Sequence, residues 1–293
     1  MNIGFLGLGK MGMPMAMRLL DANFKLTVWN RSPEKTTAPK KAGAIVVSSP
    51  SQVATRSEII ISMLNDDTAA IEVFKGNEGL LKNEVKGKLF IEMSTLRPST
   101  VKKLAKSCAD KGAAFIDSPV SGTVGPAKEG RLMALVGGNE TNLERARPVL
   151  EVLTRRIVHV GEVGQGSLMK LVINLPLAVY WYSLGEAAAM GHAGGLKLNV
   201  ILDVMKDSGA SMAAFPKKIP EILGESDLVT FDIDTLYKDV EFILETGMDS
   251  RVPMTATQAV LSACEAAKKE GLGSADATEL VRFLMKNYEN PKK

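Results

Sequence analysis

An α/β fold is predicted, with a doubly wound sheet at the amino terminus, a long connecting helix and an all-α carboxy-terminal domain. Two observations carry this. Short apolar runs alternate with helical patterns through the first half of the chain, and strand patterns vanish after about Gly161. Alternation at this spacing argues for a parallel sheet covered by helices.

The strand candidates are Ile3–Leu6, Leu26–Trp29, Ile45–Val47, Ile59–Met63, Leu89–Glu92 and Ala114–Ile116. Between them, Met11–Leu20, Glu34–Lys41, Ser51–Thr55, Thr68–Phe74 and Ser99–Ala109 read as helices. Ser32-Pro33 and Arg97-Pro98-Ser99 mark helix starts, because proline suits a first helical turn. Leu132–Val136 and Arg156–Val160 flank a helix at Thr141–Leu153 and extend the sheet. Beyond them come helical stretches at Ser167–Gly191, Asn199–Lys206, Ala213–Leu223, Ile233–Glu245, Thr255–Glu270 and Ala275–Lys286, punctuated by glycines. The glycine-rich segment Gly161–Gly166 places the boundary, giving domains 1–162 and 163–293.

Composition removes several function classes. With 45% hydrophobic and 24% charged residues, the 293-residue chain is ordinary for a globular enzyme. A net charge of +3 without a basic block argues against a nucleic-acid partner. The two cysteines, Cys108 and Cys264, lie too far apart for a metal spacing, and two histidines are too few for a histidine metal site. No metal is expected. Met1 leads directly into a core strand, so no secretory signal is read and a cytoplasmic location is expected. Leu168–Met190 is largely apolar but contains Lys170, Asn174, Ser183 and Glu186; it reads as a buried helix of a soluble protein, with no membrane partner.

Gly7-Leu8-Gly9-Lys10-Met11-Gly12 follows the first strand and opens the first helix. Gly7 permits the tight turn, Gly9 lets a pyrophosphate approach the backbone, and Gly12 lets helix and strand pack closely. The helix start supplies N–H donors to an anion. This is the dinucleotide-binding arrangement of a Rossmann-type domain. The second strand ends in Asn30-Arg31-Ser32, where a site selective for NAD would place an acidic residue. Arg31 and Ser32 suit a 2′-phosphate, which Arg31 can bind bidentately. NADP(H) is therefore expected to be preferred, with NAD(H) possible. The competing reading makes Arg31 a solvated loop charge.

Lys170 and Asn174 are spaced to share one helical face. Lys170 sits in the run Leu168-Met169-Lys170-Leu171-Val172-Ile173, and burial there would depress its pKa toward a range useful for proton transfer. That makes it a candidate general acid/base, with Asn174 as a hydrogen-bonding neighbour. The alternative is a lysine whose stem covers the core while its head reaches water. Ser121-Gly122-Thr123 follows the sixth strand candidate on the side where such sheets bind ligands, and its N–H and hydroxyl groups suit a carboxylate. Alone it is only a turn sequence.

Taken in order, these segments resemble the β-hydroxyacid dehydrogenase family, which includes 3-hydroxyisobutyrate dehydrogenases and the glyoxylate/succinic semialdehyde and tartronate semialdehyde reductases. The landmarks are Gly7–Gly12 continuing as Met13-Pro14-Met15-Ala16, then Ser121-Gly122-Thr123, then Gly164–Asn174, then Lys238-Asp239-Val240. The last has valine where the family has leucine. The resemblance is strongest to the glyoxylate/succinic semialdehyde reductase branch. It implies that Lys170 is the catalytic lysine and that Asn174 and Ser121–Thr123 hold the substrate, with Phe231 and Asp239 near that wall. It implies that Met63, Leu64 and Thr95 line the cofactor and that Lys238 reaches cofactor or substrate. The implied reaction interconverts a short hydroxy acid and its aldehyde or keto acid, glyoxylate or succinic semialdehyde reduction being favoured.

Alternatives are an NAD-dependent 3-hydroxyisobutyrate-type dehydrogenase, an imine reductase, which Lys170 argues against, or a non-catalytic nucleotide-binding module. The partner expected is a small carboxylate. A homodimer or homotetramer is expected too, because the apolar helix from Ser167 needs more cover than a short helical domain provides.

Overall fold

The computed structural model describes residues 1–289 and divides into two compact units, Met1–Leu171 and Val172–Lys293. In the first unit the elements run β1 (Asn2–Leu6), α1 (Gly12–Asp21), β2 (Lys25–Trp29), a 3-10 turn at Pro33–Thr36, α2 (Thr37–Lys41), β3 (Ile45–Val46), α3 (Pro50–Arg56), β4 (Ile59–Ser62) and α4 (Asp67–Lys75). They continue as β5 (Leu89–Glu92), α5 (Pro98–Ala109), β6 (Ala114–Asp117), β7 (Val120–Ser121), α6 (Val124–Glu129), β8 (Leu132–Gly137), α7 (Glu140–Leu153) and β9 (Thr154–Gly161).

The sheet has nine strands in the order β3-β2-β1-β4-β5-β6-β8-β7, with β9 beside β8. Strands β1 to β6 are mutually parallel. They read as continuous apolar runs because helices cover both faces. Alternate residues supply the two faces: Ile59 and Ile61 join the core under α1 and α7, whereas Ile60 joins the core under α3, α4 and α5. Gly4 is required by close packing, since a Cβ there would lie 2.4 Å from Val53 Cγ1 of α3.

The all-parallel expectation holds only to β6. Strand β8 is antiparallel to β6, and β7 is antiparallel to β8. Strand β7 and helix α6 are too short to leave a periodic signal, which is why Ser121 read as part of a turn.

Helix α8 (Gln165–Ala193) spans the boundary between the units and contains Pro176. By length and composition it could cross a membrane, with 33% of its most apolar window buried. The reading of Leu168–Met190 as a buried helix is therefore corrected to one that is covered in part. An apolar run wraps all round a helix, so only one stripe is covered. Here that stripe is Ser167, Leu171, Asn174, Ala178 and Trp181.

The second unit continues with α9 (Leu198–Lys206), a 3-10 turn at Phe215–Lys218, α10 (Ile219–Leu223), α11 (Ile233–Asp249), α12 (Thr255–Lys269) and α13 (Glu279–Glu289). These enclose a core that includes Trp181, Phe215, Leu236, Val240, Cys264 and Phe283. The helix expected over Ala213–Leu223 is split, with Pro216 and Pro220 in its two halves. The last helix starts at Glu279 because Asp276 is engaged in loop hydrogen bonds.

Candidate active site

Strands β1, β2, β4, β5 and β6 end in register: Leu6 pairs with Trp29 and Ser62, Ser62 with Glu92, and Glu92 with Asp117. The segments that follow therefore form one crest at the carboxyl ends of the strands. The order of connection reverses between β1 and β4, which is where open α/β sheets bind ligands. Gly7–Gly12, Asn30-Arg31-Ser32, Met63-Leu64 and Thr95 all lie on this crest.

Gly7 has φ +92°, and a Cβ there would stand 2.1 Å from Met63 O. A Cβ on Gly12 would stand 1.9 Å from Gly7 O. Both positions therefore demand glycine. Gly9 differs: no atom lies within 4 Å of where its Cβ would be, so the turn is open there to an approaching group. Asn30 braces the turn, its Oδ1 accepting the Leu8 N–H (2.8 Å) while its Nδ2 donates to Ser32 O (2.9 Å).

Arg31 is exposed at a groove of about 470 Å³ that is also lined by Trp29, Asn30, Pro33, Val46 and Ser48. An open glycine turn at a helix start, a neighbouring groove and a cation on its rim fit a nicotinamide dinucleotide.

Beneath the crest lies a buried polar network that the sequence reading missed. Glu92 is fully buried. Its Oε2 accepts from Ser62 Oγ at 2.5 Å, and its Oε1 accepts from the Ser94 N–H at 2.8 Å. Ser94 Oγ in turn accepts the Leu64 N–H at 2.7 Å. Burial pushes the Glu92 carboxyl up to about 7 against these hydrogen bonds, with Asp117 adding repulsion. The signal in the sequence was a carboxylate ending the apolar strand Leu-Phe-Ile-Glu. Further out, Arg97 donates to Asp67 through Nη1 (2.8 Å) and its backbone N–H (3.1 Å).

Ser121 ends β7 opposite Met133. Gly122 has φ +130°, and Thr123 precedes α6. The buried Asp117 carboxylate accepts the N–H groups of Gly164 and Ser167, each at 2.7 Å, and so holds the start of α8. Burial pushes Asp117 above the usual carboxylate range, and those two N–H groups oppose the shift.

Lys170 lies in the next turn and is half-buried, with Leu168, Met169 and Val172 exposed. The expectation that it sits among core residues is thereby corrected. The covered stripe passes through Leu171 and Asn174 instead.

In the second unit, the buried Asn174 donates through Nδ2 to Asp239 Oδ2 (2.8 Å). Lys238 Nζ pairs with Asp239 Oδ1 (3.1 Å) and lies 5.2 Å from the Phe242 ring centre. Asn174, Lys238 and Asp239 thus form one cluster. Phe231 packs on the helical core, and its backbone carbonyl accepts the Ala277 N–H.

Residues 2–161 match the family described as the NAD binding domain of 6-phosphogluconate dehydrogenase, and residues 164–284 match the family described as NAD-binding of NADP-dependent 3-hydroxyisobutyrate dehydrogenase. The chain is 33% identical to glyoxylate/succinic semialdehyde reductase 1 of Arabidopsis thaliana, over 97% of this chain and 98% of that protein. It is 32% identical to 2-(hydroxymethyl)glutarate dehydrogenase of Eubacterium barkeri, over 96% of this chain and 94% of that protein. The fold matches a 3-hydroxyisobutyrate dehydrogenase from Mycobacterium tuberculosis with TM-score 0.87 and 24% identity, over 97% of this chain and 98% of the other. With the glycine turn and the two-unit architecture described above, these similarities establish that the chain belongs to the β-hydroxyacid dehydrogenase family and is an NAD(P)-dependent oxidoreductase.

Proposed function

We propose that the enzyme reduces a short carboxylate-bearing aldehyde with a preference for NADP(H), and that Lys170 is its general acid. The observation that carries this is the orientation of the buried Asn174 by Asp239 (2.8 Å), four residues after Lys170 along α8. With Nδ2 donated to Asp239, Asn174 keeps Oδ1 as an acceptor for a substrate hydroxyl. The cofactor supplies the hydride. As negative charge grows on the carbonyl oxygen, the Lys170 ammonium stabilises it and donates a proton. In the oxidative direction, neutral Lys170 takes the hydroxyl proton.

Ser121, Gly122 and Thr123 are assigned to the substrate carboxylate, with Phe231 and Asp239 shaping the substrate side. Gly7–Gly12, Asn30–Ser32, Met63, Leu64, Thr95 and Lys238 are assigned to the cofactor. Arg31, exposed and standing where an acidic residue would repel phosphate, supports NADP(H). The Arabidopsis relative's name supports glyoxylate and succinic semialdehyde as the substrates.

The test is a panel of small aldehydes, each with its uncharged analogue, run with NADPH and NADH. Glyoxylate or succinic semialdehyde with NADPH should give the highest kcat/KM. Lys170→Ala should lower turnover by about 10²–10⁴-fold while leaving NADPH binding intact. Near-normal turnover in that variant would remove Lys170 from the chemistry. Equal rates for neutral aldehydes would remove Ser121–Thr123 from carboxylate binding.

A further inference from the structure

We propose that Glu92 is a positioning residue for the cofactor: its buried carboxyl ties the segment after β4 to the segment after β5, and so sets the surface on which the nicotinamide half rests. The inference depends on the assignment of Met63, Leu64 and Thr95 to the cofactor.

Backbone pairing carries the strands in register only up to the crest, with the Met63 N–H donating to Leu6 O and the Met93 N–H to Ser62 O. Beyond that point the segments diverge toward α4 and α5 and need another connection. Glu92 provides it. One oxygen holds Ser62 at the end of β4; the other holds the Ser94 N–H, and Ser94 Oγ holds the Leu64 N–H. At the far end, the Asp67–Arg97 pair joins the same two segments again. Residues 64–67 and 94–97 are thus clamped inside and outside, with Thr95 between the clamps. A shift of Met63 would also reach the phosphate turn, because Met63 O lies where a Cβ of Gly7 would be.

A carboxyl is a costly way to fill this volume. The titratable groups that act across it are Asp117 from β6 and Cys108 from α5, the latter thiol pushed up to about 12 by its own burial and by Glu92. Neither offers a positive charge. What the carboxyl adds is two acceptors at a fixed separation, one for each segment. Glutamine reproduces this: its Oε1 can accept the Ser94 N–H while its Nε2 donates to Ser62 Oγ. Alanine reproduces neither contact and leaves the Ser94 N–H buried without an acceptor.

The experiment compares wild type, Glu92→Gln, Glu92→Ala and Ser94→Ala. NADPH affinity is read from cofactor fluorescence without substrate. Affinity for 2′-phospho-ADP-ribose, which lacks the nicotinamide, is read by calorimetry, and KM and kcat follow with the best aldehyde. Glu92→Ala should weaken NADPH by about tenfold, the scale of one lost hydrogen-bond network contact. It should raise the NADPH KM correspondingly, while 2′-phospho-ADP-ribose binding and kcat at saturation stay within about twofold. Glu92→Gln should restore NADPH affinity. Ser94→Ala, which keeps Glu92 and removes only the Leu64 contact, should move NADPH affinity in the same direction by about threefold; it serves if Glu92→Ala does not fold. Unchanged NADPH affinity in both Glu92→Ala and Ser94→Ala overturns the inference. So does equal loss of the two ligands, which marks general destabilisation, or failure of Glu92→Gln to restore binding. If wild type itself binds NADPH but turns over no aldehyde, the substrate reading fails while the assignment of Glu92 is still decided by the binding data.

Discussion

Asp276 is the best place to test how the helical unit is held. Its buried carboxylate accepts from Lys218 Nζ (2.7 Å), the Thr230 N–H (2.9 Å) and Thr278 Oγ (2.9 Å). Lys218 has only one other carboxylate near it among the described residues, Glu221 at 3.8 Å. Asp276→Ala therefore strands a half-buried ammonium and at least one backbone donor. Breaking a buried pair by removing one partner costs about 3–5 kcal/mol, and the residual Glu221 contact argues for the lower end. At a slope of about 2 kcal/mol per molar urea, the midpoint should fall by about 1.5 M.

The assay is urea unfolding at pH 7 in a Trp29→Phe background, which leaves Trp181, buried in the helical core, as the reporter. Lys218→Met combined with Asp276→Ala should lose less than the sum of the single changes. Burial raises the Asp276 pKa, but the Lys218 and backbone hydrogen bonds outweigh it and hold the group below its usual value of 3.8. A depressed folded value means that the carboxylate stabilises the fold above the unfolded pKa and that this is lost as pH falls through the folded pKa. The destabilisation should thus be undiminished at pH 5 and shrink below pH of about 4. An unchanged Trp181 midpoint, strict additivity with Lys218→Met, or a gap that widens on acidification would refute the argument.

Other outcomes follow from the same structure. Arg31→Ala should weaken NADPH more than NADH by about 1.5–3 kcal/mol, measured as a difference in Kd; equal losses would show that Arg31 does not read the 2′-phosphate. For Glu92 the sign is opposite to that of Asp276. Its folded pKa is raised from 4.5 to about 7, so the native state is favoured below the unfolded value and loses stability as pH rises toward 7. Relative to wild type, Glu92→Gln should accordingly gain about 2–3 kcal/mol between pH 5 and pH 8, read by denaturant unfolding; a pH-independent difference would contradict it. Sedimentation at micromolar concentration should give a dimer or tetramer, motivated by exposed Val172, Met190, Val200 and Val204 on α8 and α9; a monomer would refute that.

Legibility in the sequence followed the range of the forces involved. The parallel strands were readable because each is an apolar run bounded by turn residues. Gly7, Gly9 and Gly12 were readable because their spacing after the first strand marks a phosphate turn, although the approach of Met63 O that excludes a side chain at Gly7 came only with the fold. Strand β7 escaped because two residues carry no period, and Glu92 escaped as a site residue because its tie to β4 runs through Ser62, 30 residues away.

Residue order alone carries the alternation of strands and helices, the phosphate turn, the change to helices after Gly161, and the spacing of Lys170 and Asn174. Local sterics and hydrophobic period govern each of these. Packing in three dimensions was needed to show that Asn30 braces the turn, that Lys170 stands beside the covered stripe of α8, that Asn174 is oriented by Asp239, and that Asp117 holds the start of α8. Those outcomes depend on which groups burial brings within hydrogen-bonding distance across 22 to 65 residues of chain. A buried polar group must take whatever partner the packing supplies, and that partner is fixed by three-dimensional contact and not by distance along the chain.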